Sequence, residues 1–311
     1  MFHHAKELQF NARVSGPDPK FASLLLEQFG GMNGELKAAM QYFIQAFSVR
    51  QPYPKQYDML MDIATEEFSH LEIVGATIQM LLNGVNGELK DISEQSEIMQ
   101  LVGGGKAEKE SMIHEALVNP QFLALSGGSP VLTNSQGVPW SGSYVDANGD
   151  PTVDMRSNIA AESRAKIVYE YLMQFTNDPA VKETLQFLMT REIAHQQMFE
   201  AALATLEPNF PPGVMQGDPR YSNLYFNMSK GEEAKGPWNE GESPLLGEPW
   251  QYVDDPQSLV NSTNGLLDQQ PGEGARTEEE ADKKSKEISK TRSKQIKDAV
   301  PNGANQWSKY E

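Results

Sequence analysis

The chain has 311 residues, of which 39% are hydrophobic, with no cysteine and a net charge of −17. That is enough apolar material for a substantial core, and the lack of cysteine excludes disulfides, iron–sulfur clusters and thiol catalysis. The acidic balance argues against nucleic-acid binding, which needs clustered Lys and Arg, and suits a neutral or cationic substrate.

Taken in chain order, the opening MFHHAKELQF holds no apolar run of signal-peptide length, and residues 1 to 16 read as an extended arm. No later stretch approaches the roughly 18 apolar residues of a membrane span. The expectation is therefore a soluble, cytoplasmic protein. Asp18-Pro19 is a helix start, an N-cap followed by Pro at the first helical position. Phe21, Leu25, Phe29, Met32, Leu36, Met40, Phe43 and Phe47 follow at steps of three and four, which predicts one long helix ended by Gln51-Pro52 and Pro54. A second stripe, Leu60, Ala64, Leu71, Val74, Ile78 and Leu81, closes at Asn83-Gly84.

Residues 85–157 lose the helical period and predict a long crossover. It has a short amphipathic piece around Glu108 to Leu117. It also has a small β-hairpin turning at Asn148-Gly149, between Ser143-Tyr144-Val145 and Thr152-Val153. Helix resumes from Ser157 to about Phe175. Asp178-Pro179 starts a fourth helix with the stripe Val181, Leu185, Leu188, Phe199, Ala202 and Leu206. Residues 207–270 are rich in Pro and Gly but hold Tyr221, Tyr225, Phe226, Trp238 and Trp250, as expected of an arm that packs on its own bundle or on a neighbouring subunit. Residues 271–311 are highly charged and read as a mobile tail. Two helices, a long crossover and two further helices give an all-α, four-helix bundle of ferritin-like connectivity over residues 1–206.

Polar residues interrupt the inward faces. Glu67 and His70 stand on the second helix and Glu192 and His195 on the fourth. Glu35 shares a row with Met32, Ala39 and Tyr42 on the first, and Glu162 lies between Ile159 and Tyr169 on the third. A carboxylate in an apolar seam is costly unless neutralised, and four facing one another repel. Divalent metals remove that cost, and carboxylate oxygen with imidazole nitrogen suits Mn²⁺ or Fe²⁺. A lone histidine on such a face is ordinarily a hydrogen-bonded core residue. Here two histidines each have Glu three residues before them, whereas His114 has Ser111 at that offset. His3 and His4 read as terminal and idle. Tyr42, two turns beyond Glu35, is either a bundle aromatic or a hydroxyl donor to the site.

One Glu or Glu-x-x-His per helix is the pattern of ferritin-like di-iron and di-manganese proteins. It does not by itself choose among oxidases, ferritins and catalases. The flanking residues do. GGMNGELKAAMQY (30–42), YDMLMDIATEEFSHLE (57–72), NIAAESRAKIVYEY (158–171) and TREIAHQQMFEAAL (190–203) closely resemble the bundle helices of manganese catalases.

That resemblance implies two manganese ions per chain and disproportionation of hydrogen peroxide. Glu67 would bridge the ions, with Glu35 and His70 completing one ligand set and Glu162 and His195 the other. Glu192 would be a proton carrier beside them. Some relatives carry Arg just before the helix-three Glu; here Ala161 stands there, with Arg164 nearby. Relatives also pair aspartates such as Asp58 and Asp62 with an Asn-x-Ser-x-Gly segment, matched by Asn227, Ser229 and Gly231, which implies a calcium site. Family members are typically hexamers. The rival readings are a di-iron oxidase or ferroxidase, and a spore-coat-type structural member of the same family.

Overall fold

The computed structural model describes residues 3–51, 53–83, 129–206, 221, 223–229, 235–242 and 249–263. The chain falls into two units, Met1–Glu207 and Pro208–Glu311. The amphipathic piece at 108–117, His114 and the 271–311 tail lie outside the described residues.

The first unit is built from α1 (Pro19–Gly30), α2 (Glu35–Val49), α3 (Pro54–Leu81), α4 (Pro151–Leu172) and α5 (Pro179–Ala204). Asp18 caps α1 by accepting from Phe21 N at 2.9 Å. Its own amide donates to Leu81 O, which brings the start of α1 against the end of α3. α2 packs along α3 and α4 along α5, while α1 and α2 both touch α4. This is the expected ferritin-like bundle, its first rod made of two helices.

That division corrects the single helix expected over Phe21 to Phe47. Glycine permits the break: a Cβ on Gly31 would lie 2.2 Å from Glu27 O, and one on Gly34 2.6 Å from Gln28 O. The break resets the helical phase. Met32 and Phe47 are exposed, and α2 instead turns Glu35, Ala38, Ala39, Tyr42, Ala46 and Val49 inward.

The hairpin expected around Asn148-Gly149 is also corrected. Gly142–Tyr144 forms a 3-10 turn, and Thr152 and Val153 are the first turn of α4. Asp150-Pro151 is a third Asp-Pro helix start. Asp150 Oδ1 accepts from Thr152 N at 2.9 Å and Val153 N at 3.2 Å. The Asn148-Gly149 turn is present, Gly149 taking φ +74°, but Asp154 ties it to the helix by accepting from both its amides.

Two apolar plugs fill the bundle. One gathers Phe21, Leu25, Ile73, Ile78, Leu185 and Leu188; the other gathers Tyr42, Leu60, Ile63, Met155 and Phe199. The N-terminal arm lies along the first plug, where Phe10 stacks on Phe187 with ring centroids 4.6 Å apart. His4 is not idle there: its Nε2 meets Glu72 Oε1 at 2.9 Å.

In the second unit, β1 (Leu224–Phe226) pairs in parallel with β2 (Gln251–Val253), and α6 spans Pro256–Thr263. Tyr225 stacks on Tyr252 across the ladder at 5.8 Å.

Candidate metal centre

Between the two plugs lies a polar layer. Glu35, Glu67, His70, Glu162, Glu192 and His195 are all buried, at 1% exposure or less. One donor atom from each of Glu67, His70, Glu192 and His195 falls within 4.8 Å of the others. Both imidazoles turn Nδ1 inward. His70 Nδ1 lies 3.3 Å from Glu67 Oε2, 3.5 Å from Glu192 Oε1 and 3.6 Å from Glu35 Oε2. His195 Nδ1 lies 2.7 Å from Glu67 Oε1 and 3.9 Å from Glu162 Oε1. The rings stack with centroids 5.5 Å apart and planes inclined by 21°. Glu67 thus faces both imidazoles, one through each carboxylate oxygen.

The two outlying carboxylates are held crosswise by tyrosines. Tyr42, on the helix of Glu35, donates to Glu162 Oε1 at 2.5 Å. Tyr169, on the helix of Glu162, donates to Glu35 Oε1. Each tyrosine stands seven residues after its own helix's glutamate. That spacing pointed to Tyr42 in the sequence and applied equally to Tyr169.

Charge crowding sets the acidities. Burial and the charges of neighbouring glutamates, Glu192 and Glu67 foremost, push Glu35 and Glu162 well above the usual carboxylate range. Burial and the Glu67 charge push Glu192 up as well. Burial would raise Glu67 too, but His70 and His195 outweigh it and hold this carboxyl down. Burial disfavours the charged imidazolium, yet His195 is raised to about 9 by Glu66 and Glu67, and the surrounding carboxylates raise His70 likewise.

Among the described residues, Glu35 Oε2, Glu162 Oε2 and both Glu192 oxygens make no hydrogen bond, and the 2.7 Å contact of Glu67 Oε1 with His195 Nδ1 lacks hydrogen-bond geometry. Buried atoms of this kind ordinarily have partners, and all of these are of the atom types that bind metal. Buried glutamates facing two imidazoles fit a pair of hard divalent ions.

Three further residues escaped the sequence reading. Glu66 lies behind the imidazoles: its Oε2 meets His195 Nε2 at 3.0 Å and its Oε1 lies 3.6 Å from His70 Nε2. Arg191 donates to Glu66 through Nε at 2.7 Å and Nη2 at 3.2 Å. Lys37 is buried with Nζ free of hydrogen bonds among the described residues, and burial lowers it to about 8 against the pull of Asp146 and Glu162. It adds a cation beside Glu162 where Ala161 supplies none. Arg164 instead donates to Asn33 Oδ1 at 3.0 Å. Its place four residues before His70 does not by itself mark Glu66 in the sequence.

Asp58 and Asp62 line an open groove of about 470 Å³ that also reaches Glu66. Asn227 and Ser229 belong to the second unit, and Gly231 lies outside the described residues.

Fold and site together define a ferritin-like bundle with a carboxylate-rich dimetal centre. The model of the family "Manganese containing catalase" matches residues 1–292, and the chain belongs to that family. It is 42% identical over 234 residues to a "Probable manganese catalase" of Clostridium acetobutylicum, covering 74% of this chain and 91% of the relative. The crystal structure of KatB, a manganese catalase from Anabaena, is 37% identical and superposes with a TM-score of 0.61, covering 82% of this chain and all of that one. Protein CotJC of Bacillus subtilis is 33% identical over 207 residues, covering 67% of this chain and 95% of the relative.

Proposed function

We propose that the chain disproportionates hydrogen peroxide at a dimanganese centre held by Glu35, Glu67, His70, Glu162 and His195. The observation that carries this reading is the buried layer of donor atoms without hydrogen-bond partners, enclosed between two apolar plugs. When bound there, two manganese ions supply a two-electron redox exchange that turns one peroxide into water and the next into dioxygen.

The chain's own residues do the rest. Glu67 faces both imidazoles and would hold both ions. Tyr42 and Tyr169 fix the orientation of Glu162 and Glu35 by donating to one oxygen and leaving the other for the metal. The plugs exclude water, which strengthens every electrostatic contact in the layer. Glu192 stands in the buried layer with two oxygens free of hydrogen-bond partners, and burial beside the Glu67 charge raises its pKa, which suits a carrier of a proton to and from peroxide. A second reading makes Glu192 a ligand, because its Oε1 is as near His70 Nδ1 as Glu35 is.

The test is oxygen evolution from peroxide by purified protein with its metals quantified. Manganese with vigorous oxygen release is expected. Iron with negligible release would favour the di-iron oxidase.

Assembly into a homo-oligomer, by resemblance a hexamer, is supported by apolar side chains left exposed on the first unit, Tyr171 at 54% and Phe175 at 68%. Light scattering measures its size. The calcium clip of Asp58 and Asp62 rests on their sharing one groove, and calorimetric calcium titration tests it. Among the described residues no helix is long and apolar enough to cross a membrane. A cytoplasmic location is the working proposal, which cell fractionation checks.

A further inference from the structure

The outer side of the imidazole pair is organised around one carboxylate. Glu66 and Glu67 are consecutive on α3, yet they face the two histidines from opposite sides. Glu67 meets the inner Nδ1 atoms; Glu66 meets the outer Nε2 atoms, His195 at 3.0 Å and His70 at 3.6 Å. The His70 Nε2 is buried and makes no hydrogen bond among the described residues, and a Glu66 oxygen faces it at 3.6 Å. Glu66 is itself pinned. Arg191 holds both oxygens in a bidentate pair, and Gln9 of the N-terminal arm donates to Oε1 at 2.7 Å. Its hydrogen-bond partners Arg191 and Gln9 are both donors.

We propose that Glu66 is a positioning residue shared by both histidines. It holds each imidazole in the tautomer with hydrogen on Nε2, which leaves both Nδ1 lone pairs free for metal. A neutral imidazole carries only one N–H, so the partner of one nitrogen decides which nitrogen can ligate. The inference rests on the dimetal reading and adds one claim to it: a single carboxylate outside the ligand set governs both metal positions. Glu66 Oε2 meets His195 Nε2 at hydrogen-bond distance, while Oε1 faces His70 Nε2 from 3.6 Å, and the Arg191 pair fixes both oxygens in these positions.

Glutamine at this position separates the role from mere packing. Glu66→Gln has nearly the same shape but one acceptor oxygen and one NH2 donor. Whichever way the amide turns, one imidazole faces a donor. That ring is driven to the opposite tautomer, with hydrogen on Nδ1, which blocks its metal position. Loss of such a partner beyond the ligands typically weakens metal binding by about 10- to 100-fold.

The experiment is a chelator titration of the manganese-loaded full-length protein, counting manganese per chain and recording electron paramagnetic resonance at each step. Wild type is expected to release both ions over one chelator range. Glu66→Gln is expected to give up one ion at about tenfold lower chelator or below, leaving the resonance of a single manganese ion. Coincident curves, or both ions weakened together, overturn the proposal. If Glu66→Gln does not fold, Glu66→Asp replaces it. Asp keeps the charge but withdraws both oxygens, so easier release of manganese is expected, and wild-type retention overturns the proposal. A wild-type chain that holds no manganese overturns the dimetal reading beneath it, an outcome distinct from an unaltered variant.

Discussion

The α2–α3 half of the bundle and the α4–α5 half carry the same pieces at the same spacing. Glu35 and Tyr42 answer to Glu162 and Tyr169, and Glu67 and His70 to Glu192 and His195. Yet the two motif glutamates differ. Glu67 lies within 3.3 Å of both inner nitrogens and is held below the usual carboxylate range, whereas Glu192 approaches only His70 and is raised. The residues just before the two motifs also differ, Glu66 in one half and Arg191 in the other, and they join as an ion pair. The two carboxylates differ because Glu67 meets both imidazoles, whereas Glu192 is buried against the Glu67 charge.

Breaking the two glutamates separately tests that difference. Glu67→Ala removes the carboxylate facing both imidazoles, so loss of both manganese ions and of all activity is expected by elemental analysis and oxygen evolution. Retention of two ions would deny Glu67 the bridge. Glu192→Gln keeps shape but cannot take up the proton. Both ions are expected to stay while turnover falls by about 10²-fold, the usual range for loss of a general acid–base group. Loss of one ion from this variant would instead make Glu192 a ligand and the two halves more alike than their acidities suggest.

Metal removal should expose the same charges as a pH effect. His195 stands at about 9 in the folded chain against an ordinary 6.5. The metal-free fold therefore holds a proton that the unfolded chain has released. This stabilisation is complete below pH 6.5 and lost as pH rises through about 9. The raised carboxyls Glu35, Glu162 and Glu192 act in the same direction, while Lys37, lowered to about 8, opposes them above that value. Calorimetry in chelator should thus show the melting temperature falling between pH 6.5 and 8. The manganese-loaded protein should fall less, because ions replace the protons. A rising melting temperature in the metal-free protein would reverse the assignment of the charges.

The six polar residues of the layer were legible because Glu and His on an apolar helical face are rare, and a repeated Glu-x-x-His on two helices is rarer. Glu66 was not legible. Its side chain is 21% exposed on the groove side of α3, where a carboxylate carries no sequence signal until the histidines' outer nitrogens are placed in space. The bundle was legible from its stripes, but the phase of α2 was misjudged. A hydrophobic period can be followed straight through Gly30-Gly31 and Gly34, although the backbone there departs from the helix and rotates the next segment. The hairpin was misread because β-branched Thr152 and Val153 follow an Asn-Gly turn. The competing signal, Asp150-Pro151, is a helix start and prevails because the Asp150 carboxylate satisfies the first free amides of α4.

The smallest expected effect separates the halves by how their helices begin. α4 and α5 start on Asp150 and Asp178, whose carboxylates accept from amides of the first turn; α2 and α3 start on Gly34 and Tyr53 with no side-chain cap. Asp150→Ala leaves those α4 amides without the carboxylate and also removes its bond to Thr152 Oγ1. A loss of about 1 kcal/mol is expected, seen as a fall of roughly 2–4 °C in melting temperature. Asp178 carries an additional load, accepting from Ser15 N at 2.6 Å and Ser15 Oγ at 2.7 Å, which ties the N-terminal arm to α5. Asp178→Ala should therefore cost more than Asp150→Ala. Asp150→Asn retains an acceptor oxygen, so most of the stability should return in that variant if capping is the cause. Should Asn prove as damaging as Ala, the charge of Asp150 and not its cap geometry would be what holds the start of α4.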